Sequence, residues 1–126
     1  MLYQVESQKS VSQIENSLGE VSARHQFGLL TVHNLKAKMN EKGVPFERDC
    51  LIFEVCNPKQ AKKILEGNMD ISTLLPCRIS VYKKDGKTVL STIKPTALLA
   101  MFPNPELQKI AEDVEKTLVV IMNEAA

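Results

Sequence analysis

The chain has 126 residues and a mass of 14.1 kDa, the size of one ordinary domain. Its 16 Lys and Arg stand against 15 Asp and Glu, a formal net charge of +1, which argues against bulk electrostatic capture of nucleic acid. With 44% apolar and 25% charged residues, the composition excludes a disordered chain, a collagen and a membrane span; a domain of this length needs no disulfide or metal to fold.

Leu2 to Ser7 reads as a short first strand. Ser10 or Ser12 can cap the helix behind it, with Gln13 or Glu15 three residues on to complete a capping box. Val11, Ile14, Leu18 and Val21 form one apolar stripe along that helix, which Gly19 weakens. Phe27 to His33 reads as a strand, and Asn34 can cap a second helix, Leu35 to Lys42, stopped by Gly43.

Arg48 to Cys56 is apolar on both parities, with Leu51, Phe53 and Val55 on one face and Cys50, Ile52 and Cys56 on the other, so it belongs inside a sheet. Asn57-Pro58 is an N-cap followed by proline at the first helical position, predicting a helix to about Glu66 with Gly67 as its stop. Ile71 to Pro76 reads as a loop. Asp85-Gly86 predicts a two-residue hairpin turn between Cys77 to Lys84 and Lys87 to Lys94. That register pairs Lys84 with Lys87, Val81 with Leu90 and Ile79 with Thr92. Cys77, Ile79, Val81 and Leu90 then face the core. Arg78, Ser80, Tyr82, Val89, Ser91 and Ile93 share the opposite, half-apolar face, a candidate partner surface. Pro95 opens a short helix to Phe102, and Asn104-Pro105 opens a long last one, striped by Leu107, Ile110, Ala111, Val114, Leu118, Ile121 and Met122. The expected fold is a single α+β domain over residues 1–126, with an antiparallel or mixed sheet and helices packed on one face.

No phosphate-binding glycine loop, dinucleotide fingerprint, HExxH, CxxC or GxSxG occurs. No cofactor and no metal are therefore expected. The three cysteines, Cys50, Cys56 and Cys77, do not form a secreted disulfide framework. No signal peptide is seen behind Met1, and the longest apolar run, Ala97 to Phe102, is 6 residues, far short of the about 20 that a span needs. A cytoplasmic protein with reduced thiols, binding neither nucleic acid nor membrane, is expected. The basic groups Lys83, Lys84, Lys87 and Lys59, Lys62, Lys63 read as solvated surface.

The densest chemical cluster is Leu74-Leu75-Pro76-Cys77-Arg78. A guanidinium beside a thiol favours thiolate, the form that acts as nucleophile. Cys77 is thus the candidate nucleophile and His33 the candidate base, while Arg78, Tyr82 and Asn57 are candidate ligand-binding residues. The plainer alternatives are an inward-facing Cys77 packed as a small hydrophobe and a partly buried His33, on the same strand parity as Phe27 and Leu29, bonded to a local carbonyl. A metal held by His33 or His25 with Cys77 is a further alternative that the spacing does not demand.

Three segments together resemble one family. Phe27-Gly28-Leu29-Leu30 leads to Gly43, Asn57-Pro58-Lys59-Gln60-Ala61 opens a helix, and Leu74-Leu75-Pro76-Cys77-Arg78 opens the hairpin. The combination resembles the bacterial and archaeal family catalogued as domain of unknown function 302, from about Ser10 to Pro95, and the long last helix is compatible with it. The matching positions are Gly28, Asn57, Pro58, Ala61, Pro76 and Cys77. The resemblance implies a TATA-binding-protein-like arrangement of sheet and helices and a stand-alone homodimer, with no established activity; likeness of fold carries no function with it. The expected role is a homodimeric module that binds a ligand or partner without catalysis. A thiol-dependent enzyme or redox sensor using Cys77 is the alternative.

Overall fold

Four of the five helices start on a short polar side chain that caps orphan backbone N–H groups. In the computed structural model, which describes residues 1–126, Ser10 Oγ accepts from the Gln13 N–H at 3.1 Å and Gln13 Oε1 accepts from the Ser10 N–H at 2.8 Å, the full capping box of α1 (Val11–Arg24). Asn34 caps α2 (Leu35–Glu41), Asn57 caps α3 (Pro58–Gly67) and Asn104 caps α5 (Pro105–Ala125). The short α4 (Pro95–Leu99) has no side-chain cap and begins on its proline.

Five strands, β1 (Leu2–Ser7), β2 (Gly28–Asn34), β3 (Cys50–Cys56), β4 (Cys77–Lys84) and β5 (Lys87–Ile93), form one sheet in the order β1-β5-β4-β3-β2. Every pairing is antiparallel, so no parallel strand is present. The hairpin register is the one the turn predicts, with Lys84 opposite Lys87 and Val81 opposite Leu90. Asp85 and Gly86 take φ of +51° and +79°, the double left-handed geometry of a tight turn between twisted strands.

One sheet face carries the core. Ile14, Leu18 and Val21 of α1 and Val114, Leu118, Ile121 and Met122 of α5 pack on Leu51, Phe53, Val55, Ile79, Val81 and Leu90. Beside it lies a second cluster, Ile64, Ile71, Leu99, Leu107 and Ala111, which joins α3, α4 and α5 to the segment between α3 and β4. No outward-facing sheet residue belongs to either cluster, and α2 buries none of its side chains. The opposite sheet face is therefore uncovered.

Three local expectations change. Met69–Leu74 is a 3₁₀ helix capped by Asn68 rather than a loop. Gly67 closes α3 without a left-handed φ; a Cβ there would lie 2.7 Å from Leu107 Cδ2, so close packing against α5 accounts for the glycine. Gly28 has no such reason, since a Cβ there meets only the Cys56 carbonyl at 3.8 Å. The register of β2 shifts between Leu29 and Thr31. That extra residue reverses the strand's alternation, so Val32 packs on the core and His33 turns to the uncovered face, opposite Ile52.

Candidate functional site

The chain leaves β3 through Asn57, forms α3, runs through the 3₁₀ helix and re-enters the sheet at Pro76 after a cis Leu75–Pro76 peptide. This detour holds α3 and the 3₁₀ segment away from the sheet end, and α4 and α5 close the far side. Between the two apolar clusters remains a cavity of about 180 Å³. Its walls include Leu74, Leu75, Cys77, Leu98, Val114 and Leu118, with Arg78 and Thr92 among the few polar residues that border it. An apolar cavity of about 150 Å³ holds a benzene molecule, so this one is of ligand size.

A smaller cavity of about 20 Å³ adjoins it, sharing Ile64, Leu75, Cys77 and Val114. Phe27, Val55, Cys56, Asn57, Gln60 and Ala61 complete its lining. Asn57 Oδ1 is committed to the α3 cap, accepting from the Gln60 N–H at 3.2 Å. Gln60 Oε1 is closed off from solvent and no donor of the chain reaches it. Cys77 faces both cavities. Burial, with a contribution from the nearby Cys56, pushes its thiol up to about 11; burial raises Cys56 as well. A thiol in this setting keeps its proton, which opposes nucleophilic use. The Arg78 guanidinium does not offset this, because it points to the other sheet face and lies 3.4 Å from Glu54.

On that uncovered face, Glu54 also meets His33, Nε2 to Oε1, at 2.9 Å. Its side chain is 15% exposed while those of His33 and Arg78 are 43% and 56% exposed, so one sheltered carboxylate bridges a half-open histidine and a half-open arginine across β2, β3 and β4. The histidine's partner is thus a carboxylate, not a carbonyl. Farther along, Gln4 Nε2 donates to Ser91 Oγ at 3.2 Å and to the Tyr82 hydroxyl at 3.4 Å, and Lys87 pairs with Glu6 at 3.1 Å.

Cys77 and Asn57 therefore meet around the small cavity. Arg78 borders the large one but turns its guanidinium to Glu54 on the opposite side of the sheet, where His33 and Tyr82 also stand. His25 pairs with Glu124 at 3.2 Å at the end of α1, away from both. No three His, Cys, Asp or Glu side chains converge in a metal-binding group. Sequence reasoning missed Glu54 and Gln60. Glu54 was visible as the single charge within β3, and Gln60 as the third residue after its cap, but neither position reveals a partner or the lack of one.

The model of the family described as "Domain of unknown function DUF302" matches residues 3–125. The chain belongs to the DUF302 family. It is similar to the crystal structure of an uncharacterized conserved DUF302 protein from Bacillus stearothermophilus, with 33% sequence identity, a TM-score of 0.94 and coverage of 99% of this chain and 98% of that one. No curated protein matches it. The DUF302 fold shown here is a single α+β domain built on a five-stranded antiparallel sheet, and none of its helices is long and apolar enough to cross a membrane.

Proposed function

We propose that this DUF302 protein is a non-catalytic binding module whose ligand is a small, mainly apolar molecule held between the sheet end and α3, α4 and α5. The observation that carries this reading is the cavity of about 180 Å³ walled by aliphatic side chains at the seam of two packed clusters. The pocket is partly open to solvent, so a ligand can reach it, and an apolar group placed there exchanges water for dispersion contacts with the aliphatic walls. The raised Cys77 thiol and the separation of His33 from it argue against a thiol enzyme at the same place. Self-association through the uncovered sheet face, in a TATA-binding-protein-like arrangement, is the second part of the proposal, supported by a face that carries apolar groups and charges of both signs. Three thiols free of disulfides support a reducing, cytoplasmic setting.

Titration with toluene, followed by amide chemical shifts, tests the cavity. Saturable shifts at Leu75, Leu98 and Val114 are expected, and Leu98→Trp, which places a larger ring in the space, abolishes them while leaving the far end of the sheet unchanged. Shifts scattered over the surface, or none at the cavity, overturn the proposal.

A further inference from the structure

Both chambers are walled mainly by apolar side chains, and the smaller one is bordered by Gln60. Gln60 contributes an amide oxygen with no solvent access and no donor within reach. A buried acceptor without a partner is uncommon, because its desolvation is uncompensated. The side chain sits in the first turn of α3, where the Gln60 N–H donates to the capping Asn57 Oδ1, an acceptor that has no hydrogen to offer Gln60 Oε1. This chamber and the main cavity have Ile64, Leu75, Cys77 and Val114 in common on their walls.

We propose that the two chambers form one bipartite site for a single-ring molecule bearing one hydrogen-bond donor, with the ring in the large chamber and its O–H or N–H directed to Gln60 Oε1. The inference rests on the binding-module reading and adds the chemistry of the ligand to it. The large chamber fits one ring by volume. The small one, at about 20 Å³, admits a hydroxyl or amino group and nothing bulkier. A carboxylate is disfavoured, since an acceptor oxygen facing an anion repels it, and Arg78 on the other sheet face is engaged with Glu54.

Phenol, toluene and anisole are matched probes: all three carry the ring, and phenol alone carries a donor. Their dissociation constants are measured by amide chemical shifts on the wild type, on Gln60→Met and on Gln60→Leu, the last two lacking the acceptor but keeping an apolar side chain. The ratio of toluene to phenol dissociation constants is expected to fall about tenfold in both variants, the worth of one buried hydrogen bond, with toluene and anisole little changed. A ratio that does not move, as when a single trapped water already serves Gln60, overturns this inference and leaves the apolar site standing. Anisole binding with the same Gln60 dependence as phenol also overturns it, because polarity rather than donation then decides. If toluene itself produces no shifts at the cavity, both the inference and the binding-module reading fall. Folding of each variant is checked by its amide spectrum, and either variant alone suffices.

Discussion

Cys77 enters β4 directly after Pro76, opposite Val55, with its side chain on the core side of the sheet. The adjacent arginine makes the dipeptide look like an activated thiol, but strand alternation sends the two side chains to opposite faces. Burial then dominates, and the thiol rises from 9.0 to about 11. The folded chain binds this proton more tightly than the unfolded chain, so the contribution is complete below pH 9 and is lost as pH rises through 11. A shift of this size corresponds to about 2–3 kcal/mol. Urea unfolding across that alkaline window should show wild-type stability falling more steeply than that of Cys77→Ala, by about that amount. Parallel curves for the two proteins rule out the burial argument. Iodoacetamide supplies the second readout, with native Cys77 about a hundredfold slower than in the unfolded chain. Faster labelling of native Cys77 than of the unfolded thiol restores the nucleophile.

Among the elements, α3 lines both chambers, and Gly67 fixes its approach to α5. A methyl group at Gly67 meets Leu107 at 2.7, 3.3 and 3.4 Å from its Cδ2, Cγ and Cδ1, and Leu107 is itself 3% exposed, with little room to retreat. Gly67→Ala is therefore expected to cost about 1–2 kcal/mol net of the helix propensity that alanine adds. In a Leu107→Ala background the clash is gone and the same substitution becomes neutral or mildly stabilising. Thermal unfolding of the four proteins in this cycle checks the point; an equal cost in both backgrounds shows that Leu107 is not the cause. The caps at Ser10, Asn34, Asn57 and Asn104 and the Asp85-Gly86 turn were legible because their chemistry acts over two to four residues. The end of α1 was not, since its left-handed position holds Gln26, φ +64°, where glycine is usual; the Phe27 and Gln26 N–H groups nonetheless bond back to Ser22 and Ala23 carbonyls. The bulge in β2 leaves no local signature either. One inserted residue there moved His33 from the core parity to the Glu54 pair. The cavity was illegible for a related reason: Leu75, Leu98 and Val114 are ordinary apolar residues, and only their failure to meet makes a site.

For the molecule as a whole, the uneven use of its sheet matters most. Every buried apolar residue of α1 and α5 in the main core lies on one side, and the other side presents Ile52, Tyr82, Val89 and Ile93 beside the Glu54 cluster and the Lys87–Glu6 pair. Val89 is only 5% exposed there, although no helix covers it, because the side chains of the neighbouring strands fence it in. A standard interface takes about 800 Å² from each partner, close to a tenth of this chain's 7490 Å² accessible surface. Paired charges of both signs let the face meet its own two-fold copy with opposite charges opposed. Ser80 lies near the middle, on the central strand between Ile52 and Ser91, where a two-fold axis brings each residue near its own mate. Sedimentation at micromolar concentration should give twice the 14.1 kDa chain mass for the wild type. Ser80→Glu, which sets like charges together at the centre, should give the single-chain mass with an unchanged circular dichroism spectrum. A monomeric wild type removes self-association from the proposal. A Ser80→Glu protein that stays dimeric moves the interface to another surface, and in either case the cavity on the helical side of the sheet is unaffected, since its walls share no residue with Ser80.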